Sequence, residues 1–124
     1  MYKDDEKQVI DIVLAFNDAL NARNLEGMIA LLTPLSVFEN TYPAPDGSRF
    51  VGLDAIRAFW VDFFQSSSNA RIEPEEIFAT GNRCVMRWTY HWTEAEGKMG
   101  HIRGVDIYRI EDGLIAEKLS YVKG

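Results

Sequence analysis

At 124 residues the chain has room for one domain built on one hydrophobic core, expected to span residues 1–124. Its 47% hydrophobic and 26% charged residues are ordinary for a globular protein and too apolar for a disordered one. Lys and Arg total 13 against 19 Asp and Glu, a net charge of −6 with no basic cluster, which argues against nucleic acid or an anionic membrane as partner.

The chain opens Met-Tyr-Lys-Asp-Asp-Glu-Lys, charged where a signal peptide would carry an apolar run. No stretch approaches the roughly 20 apolar residues of a membrane span, so a cytoplasmic location is expected. Asp4 and Asp5 can cap a first helix, with Glu6 favourable in its opening turn. Val9, Val13, Phe16 and Leu20 then fall on one helical stripe, widened by Ile10, Ile12 and Leu14. Asn24 can cap a short second helix carrying Leu25, Met28, Ile29 and Leu32. Thr33-Pro34 should stop it, because proline cannot donate the next backbone hydrogen bond. Val37-Phe38-Glu39-Asn40 reads as a short strand, followed by turn residues from Tyr42 to Gly47. Beyond Gly52, Ile56, Phe59, Trp60 and Phe63 stand at i, i+3, i+4 and i+7, the pattern of an amphipathic helix. Ser66-Ser67-Ser68-Asn69 closes this helical half.

From Arg71 onward the period changes to two. Four strands are predicted, at about Arg71–Thr80, Arg83–Thr93, Met99–Ile110 and Leu114–Val122, joined by turns at Gly81-Asn82, Glu94–Gly97 and Glu111–Gly113. Pro74 lacks a ladder donor, so the first of these strands should be an edge or be bulged there. The lone cysteine, Cys84, excludes an intrachain disulfide and reads as buried and inert among apolar neighbours. Helices first and an antiparallel meander second is an α+β layout.

With turns centred near Glu96 and Asp112, alternation divides the last three strands into two faces. One carries Met86, Trp88, Tyr90, Trp92, Ile102, Gly104, Asp106, Tyr108, Ala116, Lys118 and Ser120, and should cover the helices. Gly104 opposite Trp88 leaves space where a core would normally be filled. The same register sets Asp106 opposite Lys118, two charges that burial disfavours unless they pair. A carboxylate held beside an ammonium suits a base better than a hydrogen-bond donor; the pair could equally be a cross-strand contact that fixes register. The other face mixes Val105, Ile107, Ile115, Leu119 and Tyr121 with charges, and could form a homodimer interface or be solvated. Trp60, Trp88, Tyr90 and Trp92 could stack on a planar ligand or fill the core. Asn40 could orient a substrate carbonyl or end its strand by bonding local backbone, with Glu39 pointing away. His91 and His101 should face one another across a hairpin, but two histidines fall short of a closed metal site, and no metal is expected.

The segment from Gly104 to Tyr121 resembles the closing hairpin of the SnoaL-like branch of the NTF2-like superfamily, which also contains ketosteroid isomerases. Phe16 through Leu32 and Gly52 through Trp60 are similar to its helical half. The resemblance implies a cone, with helices packed in a strongly curved antiparallel sheet and a pocket at the open end. Carried over residue by residue, the isomerases' oxyanion-hole aspartate falls on Asp106. Their general base falls on Asn40, their oxyanion tyrosine on Phe16, and their supporting tyrosines on Leu32 and Trp60. Ketosteroid isomerases need both a base and a neutral acid donor, so that activity is not expected here. SnoaL-like cyclases use a pocket aspartate as acid/base on a polyketide ring, again placed at Asp106; their pocket histidine falls at or near Trp92. The resemblance implies no cofactor.

These observations lead to three readings. The first is a pocket protein for a small apolar, cyclic or polyketide-like molecule, with acid/base chemistry at Asp106, Lys118 and Asn40. Phe16, Trp60, Trp88, Tyr90, Trp92 and Tyr108 would then bind the substrate. The second is a binding module without turnover, and the third a dimerisation or adaptor domain that uses the other sheet face.

Overall fold

The computed structural model describes residues 4–67 and 69–124. Met1 to Lys3, the Asp4 side chain expected to cap the first helix, and Ser68 lie outside the described residues. The first helix, α1, spans Asp4–Asn21, and its stripe of Val9, Val13, Phe16 and Leu20 is buried as its period requires. Asn24 caps α2 (Leu25–Ile29) by accepting from Gly27 N at 3.0 Å. The chain leaves this helix at Ala30, so Leu32 does not extend it but opens β1 (Leu32–Glu39). Pro34 stands in β1 where the ladder is irregular, between Leu32 and Val37, and there its missing donor interrupts no regular pairing.

A three-residue strand that the sequence pattern does not reveal, β2 (Arg49–Val51), pairs antiparallel with β1. Helix α3 (Leu53–Ser66) follows, then β3 (Arg71–Thr80), β4 (Arg83–Thr93), β5 (Met99–Glu111) and β6 (Leu114–Val122). The six strands form one curved, unclosed sheet in the order β2-β1-β6-β5-β4-β3. The meander from β3 to β6 is antiparallel throughout, while β1 adds to β6 in parallel, so the sheet as a whole is mixed. The helices pack on its inner face around Phe16, Met28, Ile56, Met86, Tyr108 and Ile115.

β3 is an outer strand and its register shifts between Pro74 and Glu76, meeting both expectations for Pro74. Helix α1 covers the open side of this edge strand. Asn17 and Asn21 Nδ2 donate to Ile72 O at 3.1 and 2.8 Å, and Ile72 N donates to Asn21 Oδ1 at 2.8 Å. Two side chains one helical turn apart thereby satisfy an edge backbone that would otherwise invite pairing with another chain.

The β4–β5 register is as expected, with Trp88 opposite Gly104 and His91 opposite His101. The β5–β6 register is not: Asp106 faces Ser120, and Lys118 faces Tyr108. Asp112 and Gly113 form a two-residue turn with φ of 51° and 78°, pairing Glu111 with Leu114 and Ile110 with Ile115. The next pair is Arg109 with Glu117, which leaves Ala116 as the extra residue of a β-bulge. This is why Ile115, assigned by simple alternation to the outer face, is fully buried beside Ala116.

Gly104 is held by close approach. A Cβ there would lie 2.4 Å from Tyr121 O and 2.5 Å from the Trp88 ring. Gly104→Ala should cost about 1–3 kcal/mol through overpacking, read as a lower urea midpoint at unchanged m. An unchanged midpoint would mean that the Trp88 indole does not rest on this backbone.

Candidate functional site

The inner face of the sheet is not completely filled by the helices. A cavity of about 410 Å³ remains between the end of β1, the aromatic side of α3, and the inner positions of β4, β5 and β6. Its walls include Phe38, Phe59, Trp60, Phe63, Trp88 and Tyr90; Asn40 and Tyr42 line it from the loop after β1, and Asp106, Lys118 and Ser120 supply polar groups. The apolar wall is a continuous chain of ring contacts. Phe38 stacks on Trp60 at 5.4 Å, Trp60 meets Phe63 edge-on at 5.2 Å, and Phe63 meets Tyr90 at 6.1 Å.

Asp106 and Lys118 are buried, with side chains only 4% and 8% exposed. Although not directly opposite, they meet diagonally across the ladder, Lys118 Nζ lying 3.4 Å from Asp106 Oδ2. Tyr108, directly opposite Lys118 in register, donates its hydroxyl to the same oxygen at 3.2 Å. Burial and the adjacent Asp106 charge together push the Tyr108 phenol well above its ordinary value, so it acts as a donor. Lys118 Nζ also donates to Ser120 Oγ at 3.0 Å and lies 4.4 Å from the Phe38 ring centre and 5.7 Å from that of Trp60. Burial pulls the Lys118 ammonium below its ordinary value, while Asp106 opposes the shift.

Two polar atoms of cavity-lining side chains remain unsatisfied. Asp106 Oδ1 and Trp88 Nε1 are buried without a hydrogen-bond partner among the described residues. One is an acceptor and the other a donor, and each costs free energy until something supplies its partner.

The other expected site residues divide. Trp60, Trp88 and Tyr90 line the cavity, as does Asn40. Asn40 also ends its strand, its Oδ1 accepting from Ser48 N at 2.7 Å. Glu39 points elsewhere and pairs with Arg49 at 2.6 Å. Phe16 and Tyr108 are not in the lining: each is 1% exposed, and they pack edge-on against one another at 6.5 Å within the core. Trp92 shares the parity of Tyr90 but lies farther toward the end of β4, against Gly100, and lines a neighbouring cleft with Tyr90 and Ser66. The His91 and His101 rings lie 6.2 Å apart, tilted by 39°, with His91 Nε2 3.2 Å from Glu73 Oε1. Among the described residues no cluster of three or more His, Cys, Asp or Glu is placed to hold a metal.

Phe38, Phe59, Phe63 and Ser120 were not selected from the sequence. A signal for each was present: Phe38 is two residues before Asn40 on one strand, Phe59 and Phe63 share the Trp60 stripe, and Ser120 follows Lys118 at period two.

A family model described as the SnoaL-like domain matches residues 13–118. The chain belongs to the SnoaL-like domain family. An NTF2-like protein of unknown function from Mesorhizobium loti is 35% identical over 100% of this chain and 98% of its own, with a TM-score of 0.83. A second NTF2-like protein of unknown function, from Burkholderia pseudomallei, is 22% identical over 94% of this chain and 91% of its own, at a TM-score of 0.80. TerC, crystallised with polyporic acid, is 20% identical over 94% of this chain and 92% of its own, also at 0.80. No curated protein matches the chain. Membership of the SnoaL-like family accounts for the curved sheet and its helices, and leaves the chemistry to the side chains.

Cys84 lies in the core of this SnoaL-like domain, with no exposed surface, and burial pushes its thiol up to about 12 from 9.0. The folded protein therefore keeps a proton that the unfolded chain releases above pH 9. This contribution to stability is intact below pH 9 and is lost as pH rises toward about 12. Cys84→Ala should flatten the fall in unfolding free energy across that window in denaturant titrations, and equal slopes in the two proteins would contradict the assignment.

Proposed function

We propose that the protein binds a small, largely apolar cyclic molecule in the cavity and acts on it by acid/base chemistry centred on Asp106. The observation that carries this reading is the carboxylate itself. One oxygen is held by Tyr108 and faces Lys118, while the other, Oδ1, is buried and unpartnered on a side chain that lines an aromatic cavity. A ligand hydroxyl, enol or acidic C–H brought to Oδ1 would satisfy it, and a ligand acceptor would satisfy Trp88 Nε1. Proton transfer at a fixed carboxylate in an apolar site suits isomerisation, cyclisation or dehydration. Lys118 would stabilise negative charge developing on the substrate, and Asn40 would orient a carbonyl near the mouth. No cofactor enters the scheme.

A thermal-shift panel of steroids, aromatic polyketide-like compounds, terpenoids and short acyl compounds, with polyporic acid included, should give a concentration-dependent rise in Tm for at least one class. For a compound that shifts the wild type and is turned over, Asp106→Asn should retain the shift and lose about 10²–10⁴-fold in rate. Unchanged turnover would sink the catalytic role. Binding with no turnover in the wild type would leave a ligand-binding module.

We further infer a cytoplasmic homodimer that uses the outer sheet face. Support comes from Phe78 and Tyr121, exposed at 43% and 51%, and from the partly exposed Val105, Ile107 and Leu119. Ile107→Lys should then sediment as a monomer where the wild type sediments as a dimer. A dimeric variant would exclude this face.

A further inference from the structure

Lys118 is the one lysine that lines the cavity among the described residues. Its partners leave it short of what a resting ammonium requires. The group has three donors; one reaches Ser120 Oγ at 3.0 Å, and Asp106 Oδ2 at 3.4 Å lies beyond the usual 2.7–2.9 Å of a charged hydrogen bond. The remaining contacts are the faces of Phe38 and Trp60. The other described lysines differ: Lys7 is exposed and paired with Asp11, and Lys98 and Lys123 are exposed.

We propose that Lys118 is an amine nucleophile that condenses reversibly with the carbonyl carbon of a ketone or aldehyde held in the cavity. This rests on the reading above, that the cavity takes a small apolar molecule, and narrows its occupants to carbonyl compounds.

The step balances. Asp106 takes a proton from the Lys118 ammonium, and the freed nitrogen lone pair forms a bond to the carbonyl carbon as the C=O π pair moves onto oxygen. One N–H proton passes from nitrogen to that oxygen to give the neutral carbinolamine. The proton returned by Asp106 then expels the hydroxyl as water, and the nitrogen lone pair completes the C=N bond of the iminium. Overall, ammonium and carbonyl become iminium and water, with no change in net charge and no oxidant or reductant. Asp106 and the Phe38 and Trp60 rings, already arranged around a cationic nitrogen, would still surround one in the product. The lowered proton affinity of Lys118 works in the same direction, because it eases formation of the neutral amine.

The test is reductive trapping. Wild-type protein is incubated near neutral pH with 2-acetylnaphthalene and sodium cyanoborohydride, then mapped by peptide mass spectrometry, while tryptophan fluorescence follows occupancy of the cavity. The expected result is an adduct on Lys118, equal to the ketone's mass less one oxygen atom, at least tenfold above the adducts on Lys7, Lys98 and Lys123. Naphthalene should suppress it by competition. Lys118→Arg should give no adduct at that position while fluorescence still reports binding. Quenching of tryptophan fluorescence without labelling of Lys118, or with equal labelling of the exposed lysines, would overturn the imine and leave the apolar-pocket reading intact. Neither quenching nor labelling would overturn both.

Discussion

Taking an ammonium out of water costs several kcal/mol unless charge and hydrogen bonds replace the lost hydration. Lys118 is buried on the inner face of the sheet, so its neighbours must supply that replacement. Asp106 on β5 provides countercharge, Ser120 on β6 a hydrogen bond, Phe38 on β1 and Trp60 on α3 their ring faces. One nitrogen therefore ties together three adjacent strands and the helix above them. Tyr108 completes the arrangement from below by bonding the carboxylate oxygen that faces the ammonium.

That meeting depends on a single inserted residue. The Asp112-Gly113 turn starts the β5–β6 ladder with Glu111 opposite Leu114 and then Ile110 opposite Ile115. Continued without interruption, that register would set Lys118 across from Ile107, on the outer face. Ala116 is the extra residue of the bulge, and its insertion shifts every later side chain of β6 to the opposite face. Lys118 and Ser120 turn inward as a result, and Lys118 comes within reach of Asp106. The space above them has a similar local cause. Gly104 lets the Trp88 indole lie against the β5 backbone, where a Cβ would sit 2.5 Å from the ring. An indole laid against the sheet leaves room above it that a side chain standing upright would have filled.

Much of this was legible in the sequence because it is local. Period-two alternation and turn residues located the last four strands, and the helical stripes located α1 and α3. The pairing of Trp88 with Gly104 followed from the Glu94–Gly97 turn alone. Asp106 and Lys118 fall on the correct face, but through a register without the bulge, in which they stand directly opposite; that register does not reveal the diagonal contact or the bond from Tyr108, which pairs with Lys118. Features set by distant partners were not legible. Leu32 and Pro34 read as the end of a helix, yet they belong to a strand because β6, more than 80 residues later, pairs with it. β2, with three residues, is too short to carry a period. For the site, parity identified which aromatics face inward, but not how far along the strand the cavity extends. Trp92 thus lies beyond it, while Tyr108 and Phe16 are consumed by the core.

The distribution of polar groups constrains any chemistry more tightly than the fold does. Near the mouth, Asn40 has its amide oxygen committed to Ser48, and an amide cannot serve as a base at pH 7. Asp62 also lines the cavity, from α3, but is exposed, whereas Asp106 and Lys118 meet buried on the inner strands. A substrate must bring its reacting atom to them, with its remaining surface against Phe38, Trp60, Phe63 and Tyr90. In the proposed reaction Asp106 and Lys118 would act side by side, so the proton removed and the charge that stabilises its loss would stay within one cluster. Such a cluster favours reactions in which a proton leaves and returns on one side of a molecule, and enolisation next to a carbonyl meets that condition.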